Sequence, residues 1–150
     1  MKIRTMVKTV YFVRILFICT GCSTIAIVKP VGNVHDGVEF ELYRSGASVK
    51  PSRIRLNSVS VQRKTDKWPW DLVWHTLGSR VYSTIKYGEN IGKGAPRVPA
   101  RALEKDQVYR INISGSTLHS HASAYAEFYF LSDGSIEVVP DNETWFNRWE

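Results

Sequence analysis

Polar and apolar residues alternate with a period of two along most of the chain after residue 37. Val38, Phe40 and Leu42 fall on one side of an extended backbone and Glu39 and Glu41 on the other, the pattern of a strand with one face in a core. Ile54 and Leu56 occupy even positions whereas Val59 and Val61 occupy odd ones. One extra residue at Asn57–Ser58 lets all four point inward, so a β-bulge is expected there. Trp70, Leu72 and Trp74 share a face against Asp71, Val73 and His75; Val81, Ser83, Ile85 and Tyr87 follow after Gly78–Ser79, which reads as a hairpin. Tyr109, Ile111 and Ile113 mark a further strand. The clearest alternation is Ala122, Ala124, Ala126, Phe128 and Phe130. Asp133–Gly134 then returns the chain into a strand with Ile136 and Val138, since glycine accepts the positive φ that a tight primed turn requires.

The interruptions are as informative as the runs. Residues 88–99 contain three Gly and two Pro, a composition that supports no ladder, so this is the longest expected loop. Residues 100–106 are expected as a turn of helix or an irregular crossing, and Ser114 to His121 as a polar loop. At the end, Asp141 can cap a short helix whose Trp145, Phe146 and Trp149 line one side at helical spacing. Six or seven short alternating runs with no long helical pattern between them predict an all-β fold, an antiparallel β-sandwich with a short C-terminal helix. Leu103 lies six residues before Tyr109 at a strand start, and this spacing looks like the tyrosine corner of fibronectin type III and related sandwiches; Trp74 looks like the buried Trp of a central strand. That resemblance implies an immunoglobulin-like arrangement.

The first 21 residues follow different rules. Lys2, Arg4, Lys8 and Arg14 precede an apolar run that ends in the small residues Thr20 and Gly21, the layout of an export signal. Arg14 leaves the run too short to span a bilayer. The segment Ile15 to Cys22 resembles the lipobox of bacterial lipoproteins, in which an aliphatic residue and two small residues precede a cysteine that is lipidated and becomes the mature N-terminus. Thr20, Gly21 and Cys22 match, and Cys19 stands where Leu is usual. The resemblance implies a signal peptide over 1–21 and a lipidated N-terminus at Cys22; the Pro and Gly residues that follow mark 22–36 as the lipidated N-terminus and tether, with an edge strand at 25–28, and the alternating runs place a β-sandwich domain over 37–150. Ser23 is, by the same resemblance, compatible with transfer to the outer membrane on its periplasmic face. A cleaved signal without lipid is the competing reading.

This division changes the meaning of the charge. Four of the 20 basic residues and none of the 14 acidic ones precede Cys22, so the formal +6 falls to +2 in the mature chain. So small a surplus, without a run of Lys and Arg, gives no footprint for nucleic acid. Cys19 and Cys22 are the two cysteines of the chain. With one cleaved off and the other acylated, no disulfide is expected and stability must come from the core.

Candidate chemistry is sparse. His119 and His121, with His75, offer three nitrogens for zinc, but a Ser- and His-rich polar loop needs no metal to explain the pair and no third ligand is near in sequence, so no metal site is expected. No Gly-x-Ser-x-Gly elbow, no acid pair and no Gly-Lys-Ser/Thr phosphate cradle occurs. No enzyme activity and no cofactor is therefore expected. Five Trp in one small domain exceed what a single core buries. Trp68 and Trp70, at a strand entrance, together with Lys93 and Arg97 in the long loop, are the candidate partner-binding residues, because exposed aromatics anchor protein interfaces. The lipobox, the tether, the Trp-bearing strand, Tyr87–Gly88 and the Leu103 to Tyr109 segment together resemble small periplasmic lipoproteins of the type VI secretion immunity class. That resemblance implies neutralisation of an antibacterial toxin in the periplasm; an assembly subunit of an envelope complex is the alternative. Expected partners are the membrane, through lipid on Cys22, and a protein.

Overall fold

The computed structural model describes residues 24–44, 50–117 and 120–140. Eight strands occur among them: β1 (Thr24–Asn33), β2 (Gly37–Arg44), β3 (Ile54–Arg63), β4 (Asp71–Tyr82), β5 (Thr84–Lys86), β6 (Tyr109–Ser116), β7 (His121–Phe130) and β8 (Ile136–Val138). No helix occurs among the described residues, and the expected helix over 141–150 lies outside them.

The strands form two antiparallel sheets. One has the order β4-β3-β6-β7, with β8 on the far half of β7; the other has the order β1-β2-β5. β1 joins the two, because Thr24 and Ile25 pair in parallel with Ala122 and Ser123 before the strand continues along β2 from Ala26 to Asn33. The two inner faces meet through aromatic rings: Phe40 of β2 stacks on Trp74 of β4 at 6.4 Å and meets Phe128 of β7 edge-on at 5.9 Å. Leu42, Ile54, Leu56, Val59, Val61, Ile85 and Ile111 fill the rest, all fully buried. Each such side chain withdrawn from water contributes roughly 1.5–3 kcal/mol. The β-sandwich expected from the alternating runs is thus present.

The alternation of β2, β6 and β7 places their apolar residues inward as expected. The β3 bulge is also where the pattern demanded it: the register slips between Leu56 and Ser58 against both neighbouring strands, so Leu56 and Val59 both reach the core. A second slip was not anticipated. Val61 pairs with Trp74 but Gln62 pairs with Leu72, leaving Val73 as the extra residue on β4. Val73 and Trp74 are consequently both buried although they are neighbours, and Leu72 no longer shares the Trp74 face.

Four expectations need correction. The expected tether is largely a strand: β1 begins at Thr24 and pairs with β2 over eight residues, Ala26 to Asn33. Ala26, Val28 and Pro30 alternate inward with Ile27 and Lys29 outward. Pro30 is tolerated because β1 has a single partner strand at that point, where a missing N–H leaves no second neighbour short.

The hairpin expected around Gly78–Ser79 is absent. β4 runs unbroken along β3 to Tyr82, and one residue later β5 crosses to pair with β2. Gly78 marks a close approach instead of a turn: a Cβ there would collide with the Ile91 carbonyl oxygen of the long loop, and one on Gly92 would strike the Leu77 carbonyl.

The third correction concerns the turn at Asp133–Gly134. It is not of the primed type, because among its residues only Gly134 has positive φ, at 86°. The Gly134 N–H donates to the Leu131 carbonyl at 2.9 Å and the left-handed glycine follows an unprimed turn. The polar loop between β6 and β7 is shorter than expected, since β6 reaches Ser116 and β7 starts at His121.

Candidate functional site

The connection from β3 to β4 carries the most exposed aromatic side chain among the described residues. Trp68 is 74% exposed. It lies in the sequence Lys64-Thr-Asp-Lys-Trp-Pro-Trp70, too polar and too proline-interrupted to extend the ladder, with a cis bond between Trp68 and Pro69. Thr65 Oγ1 donates to the Lys67 carbonyl at 2.7 Å and the Lys64 N–H to the Val108 carbonyl at 2.8 Å, so the connection is tied both to itself and to the segment before β6.

Trp68 rests edge-on against Trp70, with ring centroids 6.1 Å apart and planes at 65°. Trp70 is in turn held by cations. The Arg110 guanidinium carbon sits 4.2 Å from the Trp70 ring centre and 5.3 Å from that of Tyr125, while Lys64 Nζ lies 5.6 Å from Trp70. Arg110 Nε donates to Glu127 Oε1 at 3.0 Å, and Lys64 Nζ is 3.8 Å from Glu127 Oε2. Cation–π contacts at partly exposed sites are worth about 0.5–1 kcal/mol each, enough to orient a ring though not to bury it.

Below the aromatic pair an ionic brace fixes the base of the hairpin. Asp71 receives Arg63 at 2.8 Å and Arg101 at 2.6 Å; Arg101 also donates to the Leu72 carbonyl at 2.7 Å. The Arg101 hydrogen bond, with the charges of Arg101 and Arg63, holds the Asp71 carboxyl below its ordinary range. Tyr109, fully buried at the start of β6, accepts a hydrogen bond at its hydroxyl from the Glu104 N–H at 2.8 Å and stacks on Phe128. The segment before β6 is thereby pinned beside the hairpin.

Lys93 and Arg97 do not join this surface. The loop over 88–99 runs along the outer edge of β4, where His75 and Val98 form a two-way backbone bridge and Gly92 lies against Leu77. Arg97, next to Val98, is thus at the level of His75, four residues or about 13 Å along the strand from Asp71, and Lys93 lies farther still. Asn90 organises this loop, accepting from Thr76 Oγ1 at 3.0 Å and from the Gly92 N–H at 3.1 Å and donating to the Gly94 carbonyl.

The histidines are likewise separated. His75 on β4 contacts Ser58 Oγ through Nε2 at 3.2 Å, and β3 and β6 lie between it and His121 on β7, three strand spacings or about 14 Å across the sheet and four residues, about 13 Å, along it. His119 lies outside the described residues. Burial, and secondarily the Arg97 charge, pushes the His75 pKa below its ordinary 6.5.

Sequence reasoning singled out Trp68 and Trp70 but missed Arg110, Lys64, Tyr125 and Glu127. Their signal was present in part, as Arg110 and Glu127 are the polar alternates of Tyr109 and Phe128. What places Arg110 opposite Glu127 and beside Gln62 is strand pairing, which periodicity does not contain. Comparison with models of known protein families, with curated proteins and with solved structures gives no match to this chain.

Proposed function

We propose that the protein is a lipoprotein acylated on Cys22, anchored at the periplasmic face of the outer membrane, that binds a protein partner through the Trp68 end of its sandwich. The observation that carries this reading is an exposed Trp on a braced hairpin at the far end from the anchor. Thr24, two residues after Cys22, pairs with Ala122, and that row continues through Gly115 to Leu56. The β3–β4 connection begins after Arg63, seven residues or about 23 Å further along β3. Trp68 is therefore presented away from the membrane, and the contacts of Trp70, Arg110 and Asp71 reduce the ordering cost that a mobile loop would incur on binding.

The strand order supports an immunoglobulin-like reading of the sandwich. β7-β6-β3-β4 against β1-β2-β5 follows the order of such domains, and Tyr109, near the start of β6 with its hydroxyl bonded to backbone five residues upstream, has the place of their tyrosine corner. Loops at the ends of these sandwiches are habitual recognition sites because the strands hold them rigidly.

In this reading the partner is an antibacterial toxin delivered to the periplasm, neutralised by stoichiometric, slowly released binding without turnover. Interface anchors of this kind carry a disproportionate share of the affinity, so Trp68→Ala is expected to cost at least about 2 kcal/mol. The test is survival of a deletion strain challenged by toxin-bearing siblings, with wild-type and Trp68→Ala copies as rescues and a pull-down of the bound partner. Rescue by wild type but not by Trp68→Ala supports the proposal. Unchanged survival of the deletion strain, or recovery of a large envelope assembly alone, replaces it with an assembly role.

A further inference from the structure

Charge is distributed unevenly along the sandwich. No Asp or Glu occurs between Glu41 and Asp66, between Asp71 and Glu89, or between Asp106 and Glu127. Each of these stretches reverses or crosses between sheets at the end where Thr24 enters the fold: after β2, between β4 and β5, and between β6 and β7. At that end stand Arg44, Lys50, Arg53, Arg55 and Arg80, all exposed. None of the five forms an ion pair among the described residues, whereas Arg63, Lys64, Lys86, Arg101 and Arg110 all do. Asp36, Asp66, Glu104, Asp106 and Asp133 lie in connections at the opposite end.

The basic end and the anchor are at the same height. Arg80 pairs with Leu56, Leu56 with Gly115, Gly115 with Ala122 and Ala122 with Thr24, one continuous row across the sheet; Arg44 pairs with Ala26. Because β1 starts at Thr24, two residue steps, at most about 7 Å of chain, separate the fold from Cys22. An acyl group there leaves no spacer between this end and the bilayer. That gap is within the Debye length of about 8 Å at physiological ionic strength, so screening weakens the attraction to the surface without abolishing it.

We infer that this end is a membrane-facing surface that docks on anionic phospholipid headgroups beside the anchor. The inference rests on the lipoprotein reading of Cys22. The cations come from both sheets, Arg44 from β2 and Arg55 and Arg80 from β3 and β4, so they match a plane of charges better than one small anion. Five uncompensated like charges at one end repel one another, and an anionic bilayer removes that repulsion while the acyl chain holds the domain in place. Docking this way stands the sandwich on its basic end with Trp68 outermost.

The test uses wild-type protein extracted from membranes and reconstituted into vesicles of phosphatidylcholine, with and without phosphatidylglycerol. Amide exchange at residues 53–56 and 79–82 is expected to slow in the phosphatidylglycerol vesicles alone. The protection is expected to vanish at high salt and in the triple variant Arg53→Glu, Arg55→Glu, Arg80→Glu, and to persist in Lys67→Glu at the opposite end. The corresponding Arg→Gln triple decides the point where charge reversal prevents folding. Equal exchange in both vesicle types, or protection that survives the triple substitution, overturns the inference.

The mass of the Cys22 peptide is read in the same samples. A missing acyl group overturns the lipoprotein reading alone. The same protein added to vesicles from solution then still tests the basic end: each cation contributes roughly fivefold to partitioning, so the Arg→Gln triple should lose about a hundredfold on phosphatidylglycerol vesicles and the Arg→Glu triple more. Acylation without phosphatidylglycerol-dependent protection overturns the basic surface alone.

Discussion

Trp74 and Tyr109 divide the work of the core between volume and a single directed bond. Trp74 is fully buried, stacked on Phe40 and edge-on to Tyr87. Truncating so large a side chain leaves a cavity, and Trp74→Ala is expected to destabilise by about 3–5 kcal/mol in denaturant unfolding. Its indole N–H finds no acceptor among the described residues. Trp74→Phe removes that orphan donor along with part of the volume, so it should cost clearly less than the alanine variant; equal losses would mean that packing around the indole is not the source of its stability. Tyr109→Phe keeps the ring and deletes the oxygen that accepts the Glu104 N–H, and is expected to cost about 0.5–1.5 kcal/mol. Tyr87 has a related role, its hydroxyl donating to the Arg101 carbonyl at 2.7 Å, and burial raises its pKa, keeping it a neutral donor.

At the scale of elements, β4 shows how far a local pattern carries. Its alternation predicted a strand, but a glycine at position 78 was read as a turn because periodicity assigns glycine no partner. In the fold, Gly78 lies in mid-strand where the backbone of Ile91 passes over it, and the reciprocal contact at Gly92 locks loop to strand. Gly78→Ala must displace backbone and is expected to cost roughly 1–3 kcal/mol, the range of an overpacked site. Gly94, in the same loop, has nothing within 4 Å of an added Cβ, so Gly94→Ala should fall within about 0.5 kcal/mol of wild type. Thermal unfolding of the two variants side by side checks this; equal midpoints would show that the loop does not rest on β4. The bulge at Asn57–Ser58 was legible because four branched apolar residues change parity across it. The bulge at Val73 was not, because an apolar residue on either face fits an alternating run.

For the whole molecule, two groups on β4 make stability fall in acid, in separate steps. His75 has a folded pKa below its ordinary 6.5. The unfolded chain therefore binds more protons than the folded one once pH drops below about 6.5, and stability, complete above that value, declines as pH falls through the lowered pKa. Asp71 is held below its ordinary 3.8, so its contribution is retained until pH falls beneath that value. Unfolding midpoints measured against pH should show both steps, with His75→Gln removing the upper one and Asp71→Asn the lower. Arg97→Gln should raise the His75 pKa in an NMR titration, since its charge opposes protonation there. A His75 titration unchanged by that substitution would separate the long loop from the β4 edge.

Which residues face a core was written in the chain, because side chains alternate with a period of two wherever one face of a strand is buried, and that local rule held for β2, β3, β6 and β7. The exposed aromatic hairpin was also readable, since Trp68-Pro-Trp70 cannot continue a ladder. Long-range neighbours were not, because pairing depends on loop closure and on the fit of distant segments, which no window of sequence contains. Thus only the fold sets Arg110 over Trp70, separates Lys93 and Arg97 from Trp68, and parts His75 from His121. It also gathers five cations from two separate stretches at the end where the chain enters, while the acids of the connecting loops collect at the other.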